Sequence, residues 1–143
     1  MPAASVLMNA VPTLTLRAPL VHHAMSHRYL LLQFTGRRSG RRYRTPVAYV
    51  RDGEDLLIST DSPWWRNLVA RPDVTVRLRG RVRDATTREL TDRREAVAAL
   101  ERLVRGVPGY RRAAGISEPL GDETLRQAID AGRHVFRVTG ASS

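Results

Sequence analysis

TGRRSGRRYRTPVAYVRDGEDLL, residues 35–57, followed by WWRNLVARPDVTVRLRGR, residues 64–81, decides how this chain folds. Tyr43 to Arg51 reads as a strand, and Pro46 inside it implies a sheet edge or a bulge, because proline has no N–H to give to a ladder. Asp52-Gly53 is a turn signal, and Asp55 to Thr60 continues as a further strand. The period then changes. Asp61 or Ser62 is placed to cap a helix, Pro63 suits its first position, and the short helix Trp64 to Ala70 stops at Pro72. Val74, Val76 and Leu78 then alternate with Thr75, Arg77 and Arg79, the pattern of a half-buried strand.

Working outward, Tyr29 to Thr35 is a short, mostly apolar run that ends at Gly36, a buried strand. Arg17 to Arg28 could form a short helix, and residues 1–16 lack a clear period and are read as a loose N-terminal segment. Downstream, Gly80 turns the chain and Arg81 to Leu90 returns as a strand. Thr91 is the expected cap of a helix with Asp92 in its first turn, in which Ala96, Val97, Leu100, Leu103 and Val104 have helical spacing. Gly106 and Pro108 end it. A second helix starts at Asp122 and closes at Gly132, and His134 to Thr139 is the last strand. Short antiparallel strands joined by tight turns, with helices between them, predict a mainly β, α+β fold. It is a small barrel of about six strands with helices packed outside. Residues 1–143 are read as one domain, with 28–139 as its ordered body.

The length of 143 residues suits that reading. There is no cysteine, so disulfides and thiolate metal sites are excluded. No stretch matches a signal peptide or a membrane span, which makes the cytoplasm the expected compartment. The formal net charge is +10, and all 24 basic residues are arginine. That excess favours anionic partners: nucleic acid, acidic lipid at a peripheral contact, or a polyanionic small molecule.

Five arginines lie between Arg37 and Arg44, where one strand turns into the next, flanked by Gly36 and Gly40. Glycines let the backbone curl so that successive N–H groups point at one anion. Thr35 and Ser39 add hydroxyls, and Arg37 and Arg38 add charge. This is the composition of a phosphate-binding loop without a helix N-terminus. It is neither a Walker loop nor a dinucleotide fingerprint. A solvated basic hairpin and a nucleic-acid contact are the other readings of the same residues. Trp64 and Trp65 are adjacent on the short helix and must point in different directions. One could pack inside while the other covers a ring-shaped ligand, or both could be core and rim packing. Asn67 offers a donor and an acceptor to a polar ligand edge, or a surface cap.

The two quoted stretches resemble the deazaflavin-dependent nitroreductase and quinone-reductase family, split β-barrels related to flavin-mononucleotide-binding oxidoreductases. The resemblance covers roughly residues 28–139. Its anchors are Thr35-Gly36-Arg37-Arg38-Ser39-Gly40, Pro46, Arg51-Asp52-Gly53, Trp64-x-x-Asn67-Leu68 and Pro72. It implies coenzyme F420 as cofactor, with flavin mononucleotide as the alternative. The phosphate would lie against Thr35 to Gly40, and the ring near Pro46, Val47, Trp64 and Asn67. Arg42 and Arg44 flank Tyr43, where family members carry a basic residue, so that phosphate contact falls to one of the two. The coenzyme's glutamate-bearing tail suits an arginine-rich surface. Two further departures stand out: Asp61-Ser62-Pro63 replaces a longer loop carrying a tail-binding lysine, and Val107 and Ala113 stand where family members have aromatics. Tyr110 is kept, as the one candidate for orienting substrate or donating a hydrogen bond.

The activity implied is hydride transfer from reduced F420 to a small electron acceptor: a quinone, a nitro compound or an activated alkene. The cofactor carries the hard chemistry and the protein holds donor and acceptor close. A non-catalytic carrier of a flavin, deazaflavin or haem-like ligand is a second reading, and a nucleic-acid-binding module, with no recognised motif, a third. A metal site is not expected: His23 and His27 are one helical turn apart but lack a third ligand. No GxSxG elbow is present. Either a monomer or a homodimer is compatible with the sequence.

Overall fold

A computed structural model describes residues 28–141. The helix expected over Arg17 to Arg28, apart from Arg28 itself, and the His23/His27 pair lie outside the described residues. Among those described, seven strands form one antiparallel sheet: β1 (Tyr29–Thr35), β2 (Arg42–Ala48), β3 (Val50–Asp52), β4 (Asp55–Thr60), β5 (Asp73–Leu78), β6 (Arg81–Glu89) and β7 (His134–Thr139). Their order is β2-β1-β5-β6-β7-β4-β3. The two end strands, β2 and β3, are neighbours in the chain, separated only by Tyr49. A sheet whose edges are joined in that way has to curl until they meet, which produces the split barrel. The stretch expected as one strand, Tyr43 to Arg51, is therefore two, with Tyr49 as the corner; Tyr49 still donates its N–H to Arg28 O at 3.0 Å. Pro46 lies opposite Leu31 on β2, an edge of the sheet, where its missing N–H costs no ladder bond.

Alternation separates two apolar layers. Leu30, Leu32 and Phe34 of β1, Val47 of β2, Leu56 and Ile58 of β4, Val74, Val76 and Leu78 of β5, and Phe136 and Val138 of β7 fill the barrel interior. Leu57 and Val135 point the other way, so β4 and β7 are apolar on both faces. Their outer face is covered by α2 (Arg93–Gly106), α3 (Tyr110–Ala113) and α4 (Asp122–Asp130), through Ala96, Leu100, Leu103, Tyr110 and Leu125. The remaining helix, α1 (Trp65–Ala70), follows β4.

Two caps differ from expectation. Asp92, not Thr91, caps α2, its carboxylate accepting from the N–H groups of Arg94 and Glu95 at 2.9 and 3.2 Å. A carboxylate satisfies two orphan donors where a hydroxyl typically satisfies one. Neither Asp61 nor Ser62 caps α1 with its side chain; Trp64 occupies that position, and a tight turn donates Trp65 N–H to Ser62 O at 3.2 Å. The short helix α3 was not expected, since four residues are too few for a readable period.

Candidate cofactor-binding site

The loop between β1 and β2 is fastened at both ends. Gly36 donates its N–H to Arg41 O at 2.7 Å, and Gly40 donates to Gly36 O at 3.0 Å. Arg41 N–H donates to Ser39 Oγ at 3.2 Å. The backbone N–H of Arg37 donates to Asn67 Oδ1 at 2.9 Å, while Asn67 Nδ2 donates to Trp64 O at 3.2 Å. Asn67 thus ties the loop to α1 with both ends of its amide. Gly36 is packed so closely that a Cβ there would stand 2.8 Å from Ser39 Oγ and 2.9 Å from Tyr43 Cε2. Gly40 needs glycine for a different reason, a φ of 72°.

Once those bonds are counted, the consecutive N–H groups of Arg38 and Ser39 meet no acceptor among the described residues. Arg37 is half-buried and Arg38 exposed. Among the described residues, Arg37, Arg38, Arg41, Arg42 and Arg44 form no ion pair with a carboxylate. Free backbone donors on a pinned loop, surrounded by uncompensated arginines, fit a phosphate well.

The other expected site residues spread over several environments. Arg42, Arg44 and Pro46 share the outward face of β2, opposite Thr35, Gln33 and Leu31. Arg42 reaches Thr75 Oγ1 on β5 at 3.4 Å. Val47 points into the barrel, so Pro46 and Val47 present their side chains to opposite faces. Trp64 is also in the core, its ring stacked on Phe34 at 5.4 Å; the ring face expected to meet a cofactor is spent there. Tyr43 stacks on the same phenylalanine at 5.7 Å, beneath the loop, and is a packing residue rather than a substitute for a basic ligand. Trp65 lies against His134 at 3.7 Å with the Arg66 guanidinium 5.6 Å away. Both tryptophans are engaged in packing.

Tyr110 is separate from the loop. It sits on α3 in the outer layer with Ala48, where β2 ends. Its hydroxyl is buried, with Ser59 and Arg133 beside it as hydrogen-bonding neighbours. Burial pushes the phenol above its ordinary value, and Ser59 and Arg133 act in the opposite direction. Ser59 and Arg133 were missed in the sequence. Ser59 carried only a weak signal: it is the first polar residue after the apolar run Leu56 to Ile58. Arg133 is one arginine among 24 basic residues, and nothing in its spacing marks it.

The Asn67 clamp yields a direct test. Asn67→Ala removes both of its hydrogen bonds and leaves the Arg37 N–H unpaired. It should cost about 1–3 kcal/mol of stability and weaken cofactor binding about tenfold, read by thermal unfolding and by titration. Asn67→Asp keeps the acceptor for Arg37 but sets a carboxylate against Trp64 O and beside the proposed phosphate position, so it should recover part of the stability and none of the binding.

Comparison with known proteins agrees with this architecture. A family model described as F420H(2)-dependent quinone reductase matches residues 13–120. A solved structure described as a domain-swapped dimer is 22% identical, with a TM-score of 0.58 over 96% of this chain and 99% of that chain. An F420-H2 dependent reductase, FDR-A, is 23% identical, with a TM-score of 0.55 over 78% of this chain and 93% of that one. A FAD-binding protein from Mesorhizobium loti is 18% identical, with a TM-score of 0.55 over 86% and 89%. At these identities the solved structures establish the shared split-barrel fold.

Proposed function

This chain belongs to the F420H(2)-dependent quinone reductase family, oxidoreductases whose cofactor is coenzyme F420, and from that membership we propose that it reduces quinones, with nitro compounds and activated alkenes as further acceptors. The observation that carries the site assignment is the loop Thr35 to Gly40. Among the described residues it offers two N–H groups without an acceptor and arginines without acid partners, and Asn67 fastens its backbone at Arg37. In this reading the loop holds the cofactor's phosphate. When bound, reduced F420 supplies a hydride from its deazaflavin ring. The outward arginines Arg42 and Arg44 attract the acidic tail, and the end of β2 at Pro46 to Ala48 supports the ring region. Tyr110 orients the acceptor.

Among the described residues, no helix is long and apolar enough to cross a membrane. The proposed enzyme acts in the cytoplasm, as a monomer or a homodimer, on a small-molecule electron acceptor. The deciding experiment titrates the protein separately with F420, flavin mononucleotide and a short DNA duplex, then follows loss of reduced F420 on adding menadione. Micromolar F420 binding with menadione-dependent oxidation is expected. F420 binding without turnover would make the protein a carrier. Salt-sensitive duplex binding with no F420 binding would remove the reductase reading altogether.

A further inference from the structure

We infer that the tip of the β5–β6 hairpin, Arg77 to Val82, docks on the surface of an anionic lipid bilayer. The docking itself is independent of the reductase reading above; only its use, delivery of a quinone from the bilayer, rests on that reading.

The hairpin reads Arg77-Leu78-Arg79-Gly80-Arg81-Val82. Leu78 and Arg81 are its last opposed pair, and Arg79 and Gly80 make the turn. Both turn residues have positive φ, 52° and 79°. Asparagine and glycine normally fill such a two-residue turn. Among the described residues Arg79 is the one non-glycine held at positive φ, where its Cβ is crowded. Strain kept against local preference points to a use for the side chain. Leu78 is buried and anchors the tip, whereas Arg77, Arg79 and Arg81 are exposed. Val82, 54% exposed, lies opposite Arg77. Tyr29, 37% exposed, starts β1 two residues before Leu31, which lies opposite Arg77 on the other side. Among the described residues, none of the three arginines forms an ion pair with a carboxylate. The nearest acidic residue along the hairpin, Asp84, lies farther from the tip, opposite Thr75.

Three arginines around an exposed valine and a tyrosine fit a surface with phosphate outside and hydrocarbon beneath. Guanidinium forks match phosphate oxygens, and their aliphatic stems lie along apolar surface. Tyrosine suits the boundary between headgroup and chain. Each basic side chain close to an anionic leaflet strengthens attachment about fivefold, so three together give about 100-fold. A nucleic-acid backbone would use the arginines equally well but offers nothing to Val82. Position adds a purpose. Tyr29 lies opposite Ala48, at the end of β2 where the acceptor region is proposed. The loop Thr35 to Gly40 is at the other end of β1, about 20 Å along the strand. Docking by the hairpin therefore turns the end of β2 towards the bilayer and leaves the phosphate loop away from it. A quinone is apolar and concentrates in lipid, so it reaches that end of the barrel without crossing water.

The test titrates the full chain with vesicles of phosphatidylglycerol and phosphatidylcholine in equal parts, and with vesicles of phosphatidylcholine alone, and separates bound protein by flotation. The unaltered protein should bind the anionic vesicles at least about 20-fold more tightly and lose that preference as salt is raised to about 0.5 M. Arg79→Gly with Arg81→Gln should weaken anionic-vesicle binding about 25-fold. Glycine accepts the turn's φ, so the thermal midpoint should not fall. Val82→Ser removes the apolar contact and no charge, and should weaken binding about threefold. Arg94→Gln with Arg112→Gln takes the same charge from α2 and α3 and should change binding by less than about twofold. Equal losses in the two arginine pairs would reduce the attraction to net charge and overturn the inference. So would an unchanged affinity in Val82→Ser, or binding of a short DNA duplex that the hairpin pair abolishes while both vesicles stay unbound. Docking on anionic vesicles by a protein that fails to bind F420 would uphold the inference and remove only the delivery of a quinone.

Discussion

Replacing Arg37 and Arg38 together with alanine is expected to weaken F420 binding by about 100-fold or more. Hydrogen bonds to a charged partner contribute about 1.5–3 kcal/mol each, and both arginines belong to the loop proposed to hold the phosphate. The fold should be unaffected. Arg37 holds Asn67 through its backbone N–H, not its side chain, and Arg38 is exposed. Isothermal titration at several salt concentrations reads the effect, and the double variant should also show a shallower salt dependence. The informative control is Arg79→Ala with Arg81→Ala, at the turn between β5 and β6. It removes the same charge from another part of the molecule. If both pairs lose affinity equally, the cofactor is drawn by overall charge and the loop has no special role.

The elements were largely legible in the sequence because their signals are local. β1, β4, β5, β6 and β7 follow from alternation and from turn residues, and α2 and α4 from helical spacing. What was not legible depends on contacts between distant residues. Tyr49 splits a continuous apolar run because the sheet must turn a corner there, and no propensity at Tyr49 records the corner. The two tryptophans have the same local character. Only the position of Phe34 and His134 decides that one enters the core and the other stacks at the rim. Asn67 could be read as a ligand contact or a cap; its role in fastening two segments 30 residues apart has no local signal. The tight turn from Thr35 to Gly40, proposed to hold the phosphate, was readable as a feature, since glycines, hydroxyls and arginines are close in sequence. The cluster of Ser59, Arg133 and Tyr110 was not, because β4, α3 and the start of β7 meet only after the sheet has closed.

That closure also places the two proposed half-sites. The loop lies at the start of β2 and Tyr110 at its end, so this single edge strand runs from the phosphate region to the acceptor region. An edge strand is suited to the task because one of its sides is free of ladder bonds. Pro46, which offers no N–H, keeps that free side from pairing with another strand.

Gly36→Val should abolish measurable F420 binding and destabilise the fold by about 1–3 kcal/mol, the usual cost of forcing extra volume into a packed site. Backbone conformation is not the cause, because Gly36 is not among the residues with positive φ. Space is the cause. A Cβ at Gly36 would press on Ser39 Oγ and on the Tyr43 ring, at 2.8 and 2.9 Å. The serine can rotate away, but Tyr43 is buried and stacked on Phe34. The loop must therefore lift. Lifting it strains the bonds that Gly36 makes with Arg41 and Gly40 and moves the free donors of Arg38 and Ser39 off their aim. Gly40→Ala is the contrasting change: it meets nothing within 4 Å but is strained by its φ of 72°, so it should lose stability, about 1–2 kcal/mol, with a smaller loss of binding. Combining Gly36→Ala with Tyr43→Leu removes the rigid neighbour and should restore part of the affinity lost by Gly36→Ala alone. Retention of full F420 affinity by Gly36→Val, measured by titration of the folded variant, would show that the cofactor phosphate is not held by this loop.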